Sequence, residues 1–164
     1  MKRKEIIELN AVIEASLKGK CSVRFANGLL HNKSFIKDIV KVHNETMKIV
    51  RKPLEKYDEE FEKKRTDLIK KYGTEQSDGS FMIKVGDVNY LTYMDKLTKL
   101  GESLDKEYSK EIEEYKKAFG EYEPALDEEV EFKPYKIKLE DFPEGYSNAY
   151  HEVLFNAGIV WEGE

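Results

Sequence analysis

The chain has 164 residues and a net charge of −5, with 37% charged residues, 40% hydrophobic residues, 8 Phe, 10 Tyr and 1 Trp. That is enough apolar and aromatic material for one buried core, and too much for a disordered chain. No apolar run approaches the ~18 residues of a membrane span, Cys21 is the only cysteine, and Glu5 and Glu8 follow the basic start too closely for a secretory leader.

Residues 3–18 read as a helix with Ile6, Leu9, Ile13 and Leu17 on one face. Gly19 is expected to cap it with positive φ, and Ser22 to open the next helix as its N-cap. That next helix is the plan of the chain. Phe25, Leu29, Ile36, Ile39, Met47, Val50, Leu54, Tyr57, Phe61, Leu68 and Tyr72 recur at helical spacing from 23 to 72. Pro53 interrupts the stripe and predicts a kink, or one helix ending where another begins.

Gly73 ends the run, and Phe81–Val85, Gly86-Asp87 and Val88–Tyr90 suggest a short β-hairpin. A third helix is expected from about Leu91 to Phe119, long enough to pair antiparallel with the segment after Pro53. Gly120, Pro124 and Pro134 break the acidic stretch beyond it. Val130–Lys133 and Tyr135–Leu139 alternate as edge strands. A last helix starts near Ser147, and Ile159-Val160-Trp161 forms an apolar cluster expected to dock on the body.

These elements imply a fold that is mainly α with minor β. A long kinked helix carries an antiparallel helical-hairpin arm, with a short β-hairpin at or near its tip and a small head of helices and edge strands. We expect a single domain over 1–164, with the head at 1–52 and 121–164 and the arm at 53–120.

Charge is uneven. Residues 1–52 hold 12 Lys/Arg against 5 Asp/Glu, whereas residues 121–164 hold 3 against 12. The acidic tail can fold back onto the basic third, or the basic third can meet an outside anion. Lys37, Lys41, Lys48 and Arg51 include helix-spaced pairs that a nucleic acid could use. Tyrosines concentrate on the arm, and Tyr57, Tyr93, Tyr108 and Tyr115 are candidates for a partner surface, being apolar on one side and polar at the tip.

Catalytic patterns are missing. The three histidines share no ligand spacing, no cysteine pair exists, and there is no phosphate-cradling glycine loop or nucleophile elbow. No catalytic residue, metal or cofactor is assigned, and an enzyme is not expected. His43 lies beside the apolar stripe, as a core histidine would.

Glu5–Ala11, Val23-Arg24-Phe25-Ala26 leading into Asn32, Leu68–Gly73 and Phe132–Asp141 stand in that order along most of the chain. In these stretches the protein resembles a group of small bacteriophage-encoded proteins catalogued only as a domain of unknown function. The longer arm and the Trp161 end depart from that pattern. The resemblance implies a phage or prophage origin and a non-catalytic role, and carries over no catalytic residues.

The expected function is therefore binding of a macromolecular partner, as an inhibitor of a host defence complex or a virion assembly component. Nucleic-acid binding by the basic third is the alternative. A protein partner or a homodimer is envisaged, with no membrane, in the cytoplasm of a bacterial host or in a virion.

Overall fold

The computed structural model describes residues 1–161. The fold is mainly helical with minor β structure, and it divides into two compact units. The first is Met1–Lys48 with the chain from Glu121 onward; the second is Ile49–Gly120.

In the first unit, helix α1 (Arg3–Lys18) starts where Glu5 reaches back to accept the Lys2 backbone N–H at 2.7 Å. Its buried face is Ile6, Leu9, Val12, Ile13 and Ser16, the set that a 3.6-residue period places together. Gly19 follows in extended conformation, with φ −82°, so the expected positive-φ cap is not formed. Any residue could adopt that geometry. Helix α2 (Val23–Arg51) begins as expected, with the Phe25 N–H donating to Ser22 Oγ at 3.1 Å. Phe25, Leu29 and Ile36 are fully buried against α1 and the late segments.

The late segments are a parallel two-stranded sheet and a helix. Strand β3 (Ile137–Lys138) pairs with strand β4 (Val160–Trp161), and helix α6 (Asn148–Asn156) forms part of the crossover. The alternating stretches thus yield only two residues of strand on each side. Val130–Lys133 forms no ladder, because its neighbour is the N-terminus: Val130 N–H donates to Met1 O at 2.8 Å beside an isolated Lys2–Glu129 bridge. Leu139–Asp141 tightens into a 3-10 turn. Ser147 stands at the α6 N-cap position without a capping side-chain bond. Ile159 and Val160 are buried in the core, while Trp161 stays half-exposed.

In the second unit, a 3-10 turn (Lys52–Leu54) with Pro53 in its first positions leads into α3 (Glu55–Tyr72). Proline there removes no intrahelical donor that was needed. Helix α4 (Tyr90–Glu107) returns antiparallel along α3. Asp105 meets Tyr57, Glu60 meets Tyr108, and Asn89 meets the Tyr72 carbonyl. Val50, Leu54, Tyr93 and Leu104 are its buried residues.

The small sheet of this unit differs from the expected hairpin. Strand β2 (Phe81–Met82) pairs backward with β1 (Thr74–Glu75). The turn at Gly79, with φ +79°, closes it; Asp78 Oδ1 accepts from the Ser80 N–H at 3.0 Å and from its hydroxyl at 2.7 Å. The forward partner is already engaged, because Asp87 takes the Lys84 N–H at 2.7 Å and its carbonyl starts α4 through the Tyr90 N–H at 2.9 Å. The third helix is also longer than expected. It is interrupted at Tyr108, then continues as α5 (Ser109–Leu126) through both Gly120 and Pro124. A glycine costs an exposed helix only about 1 kcal/mol, so Gly120 was no barrier.

Candidate functional site

The tyrosines chosen from the sequence sit within the helical hairpin. Tyr57 and Tyr108 meet edge-on, with ring centroids 5.9 Å apart. Each hydroxyl crosses the seam to a carboxylate, Tyr57 to Asp105 at 2.9 Å and Tyr108 to Glu60 at 2.7 Å. Glu60 also pairs with Lys64 one turn along α3. The phenol of Tyr108, hydrogen-bonded to an anion, is pushed up to about 12. Tyr57 is also raised, chiefly by burial and then by its bond to Asp105. Tyr93 is buried, which takes it out of any docking surface, and its hydroxyl, with Glu62, raises the pKa of the Arg65 guanidinium on α3. Tyr115 is half-buried, its ring 6.0 Å from that of Phe119. Tyr57, Tyr93 and Tyr108 therefore bind α3 to α4.

The basic candidates divide. Arg51 is engaged with Asp58 at 2.8 Å, and that bond raises it further. Lys37, Lys41 and Lys48 are exposed on α2 and make no ion pair among the described residues. At about 100° per residue the three fall within ~40° of arc, on a face turned from the buried stripe. The acidic tail neutralises a different part of the basic third: Lys2 and Lys4 both reach Asp127, and Arg3 reaches Glu128.

The histidines face separate partners. His43 Nδ1 shares a hydrogen bond with the Tyr122 hydroxyl at 2.7 Å, and His31 stacks on Tyr135 at 4.7 Å. Burial, and secondarily Arg3, lowers the His43 pKa. Among the described residues no three His, Cys, Asp or Glu side chains are grouped to hold a metal ion. No helix among the described residues is long and apolar enough to cross a membrane.

One feature of the second unit had no sequence reading as a surface. Val85, Val88 and Leu91 are 82%, 99% and 80% exposed, beside the exposed Phe81 and Met82. The loop that presents Val85 and Val88, and leads to Leu91 at the start of α4, is braced. Asp87 holds the Lys84 N–H, the Asp87 N–H returns to the Lys84 carbonyl at 3.1 Å, and Gly86 turns the chain with φ +98°. Three aliphatic residues in a stretch otherwise rich in Gly, Asp and Asn were the available signal, but alternation assigned Val85 and Val88 to strands. Compared with protein-family models, with curated proteins and with solved structures, the chain finds no match.

Proposed function

We propose that the protein acts without chemistry of its own, by binding a protein partner through the turn of its helical hairpin. The observation that carries this reading is the exposure of Val85 and Val88 on a loop pinned by Asp87, with Leu91 exposed in the first turn of α4 that follows. Exposed aliphatic side chains grouped on one loop mark interaction sites in folded proteins. A loop ordered beforehand loses less entropy on docking. The resemblance to phage-encoded proteins supports a bacterial or phage partner, such as a host defence complex or a virion component in assembly.

The test is capture of partners by the full chain from bacterial lysate, with and without phage infection, alongside Val85→Asp and Val88→Asp variants. A stoichiometric partner retained by the native chain and lost by both variants is expected. Capture that survives both substitutions, or no stoichiometric partner in either lysate, overturns the reading.

The exposed face of Lys37, Lys41 and Lys48 favours a second reading, nucleic-acid binding. Reversing all three to Glu would then abolish a salt-sensitive association with duplex DNA. Unchanged binding by that triple variant would exclude this face.

A further inference from the structure

Strands β3 and β4 run parallel, with Ile137 against Val160 and Lys138 against Trp161. Alternation sends the first pair into the core and leaves the second pair outside. There the Lys138 ammonium stands 5.4 Å from the centre of the Trp161 ring. The first turns of α2 pass alongside and add Arg24 and Asn27. The result is a groove of about 870 Å³ lined by Arg24, Asn27, Tyr135, Lys136, Lys138 and Trp161, with Asp141 as the one carboxylate in its wall among the described residues. Its volume lies in the range of small-ligand sites.

Tyr135 is fixed through its backbone, which Asn32 bonds at both N–H and carbonyl; its ring is 46% exposed and stacks with His31 at 4.7 Å on one face. Trp161 is equally exposed, and Arg24 lies 3.9 Å from Asp141, the outer limit of an ion pair. Lys136 donates to the Gly158 carbonyl, and Lys138 also reaches Glu140 at 3.4 Å. Two accessible aromatic rings are thus set among three cations. Flat π-faces flanked by cations are the pairing that receives nucleobases and their phosphates.

We propose that this groove binds a nucleotide unit, with a base against Trp161 or Tyr135 and its phosphate near Arg24, Lys136 and Lys138. The unit can come from a free nucleotide or from a single strand, and both present the same ring and anion. The proposal does not rest on partner docking by the hairpin, and it uses side chains other than Lys37, Lys41 and Lys48.

Trp161 is the only tryptophan, so its fluorescence reports this groove directly. The full chain is titrated with an oligothymidylate of about ten nucleotides, within the span such sites cover, and separately with thymidine triphosphate. Saturable quenching is expected with at least one probe. Quenching by the oligonucleotide alone identifies a single strand, and equal quenching by both identifies a nucleotide. With one phosphate contacted, single-strand affinity should fall about two- to threefold between 50 and 200 mM salt. Tyr135→Ala and Arg24→Ala should each weaken binding by about tenfold while circular dichroism stays native. No saturable change with either probe overturns the proposal. So does quenching that persists in both groove variants but disappears in the Lys37, Lys41 and Lys48 triple reversal.

Discussion

The side-chain amide of Asn32 is paired with the backbone of Tyr135 in both directions. Its Oδ1 accepts the Tyr135 N–H and its Nδ2 donates to the Tyr135 carbonyl, both at 2.9 Å, and Nδ2 also donates to Gly28 O at 2.9 Å. Asn32 is fully buried, so the amide completes a ladder for a residue that has no neighbouring strand. Asn32→Ala should leave buried backbone groups unpaired and cost about 2–4 kcal/mol in urea unfolding. Asn32→Asp replaces a donor with an anion facing two carbonyls. Burial would raise that carboxyl's pKa, so its protonated form is tolerated best and stability should be lost as pH rises through the acid range.

Gly28 allows this approach of α2 to β3. A Cβ on residue 28 would lie 2.5 Å from Ile137 Cγ1 and 2.7 Å from Cδ1. Gly28→Ala should therefore destabilise by about 1–2 kcal/mol despite alanine's better helix propensity. Ile137→Ala removes both clashing atoms. The double variant should be less destabilised than the two single changes together, and a thermodynamic cycle reads that difference.

The Tyr108–Glu60 bond predicts a tyrosine with unusual titration. Tyr108 is held up at about 12, first by its hydrogen bond to Glu60. Carbon-13 NMR at tyrosine Cζ should show a resonance titrating at about 12 that disappears in Tyr108→Phe. In Glu60→Gln that resonance should move toward the usual phenol range, because the anionic acceptor is gone.

His43 should make the first unit acid-sensitive. Its folded-state pKa is held below the ordinary 6.5 of a histidine, first by burial and second by Arg3. The stabilisation is then present above the unfolded pKa and lost as pH falls through the lower folded value. Thermal midpoints between about pH 7 and pH 5 should fall more for the native chain than for His43→Gln. Parallel slopes would show that the Tyr122 bond does not depend on the neutral ring.

Legibility in the sequence tracked the length of each pattern. The apolar spacing of α1 and α2 ran for several turns, so a 3.6-residue period stood out. Matching lengths were enough to bring Tyr57 to Tyr108. Strands of two residues carry no period, and Ile137 finds Val160 only after a crossover through α6. The pairing of Phe81–Met82 depended on Asp78 and Asp87, whose carboxylates choose which neighbouring N–H to hold. Asn32 stood at helical spacing between Leu29 and Ile36, yet as a polar residue it read as a gap in the stripe. Tyr93 and Tyr108 looked like surface candidates because composition cannot tell a wet seam from a docking face. The exposed Val85 and Val88 went unread for the converse reason, since alternation alone makes valine a strand residue.

The hydrogen bond between His43 and Tyr122 has a topological consequence. The polypeptide departs from the first unit just beyond one of these residues and re-enters it just before the other, so its exit and its return are neighbours. Everything between them is a closed detour inserted into an otherwise complete body. On the ribosome, Ile6 and Leu9 must wait for Ile159 before their shared core can close, whereas the detour has all its own residues in hand much earlier. A bypass of a few glycines joining 48 to 121 should accordingly yield a shortened protein that still folds, with the excised hairpin as a separable cassette.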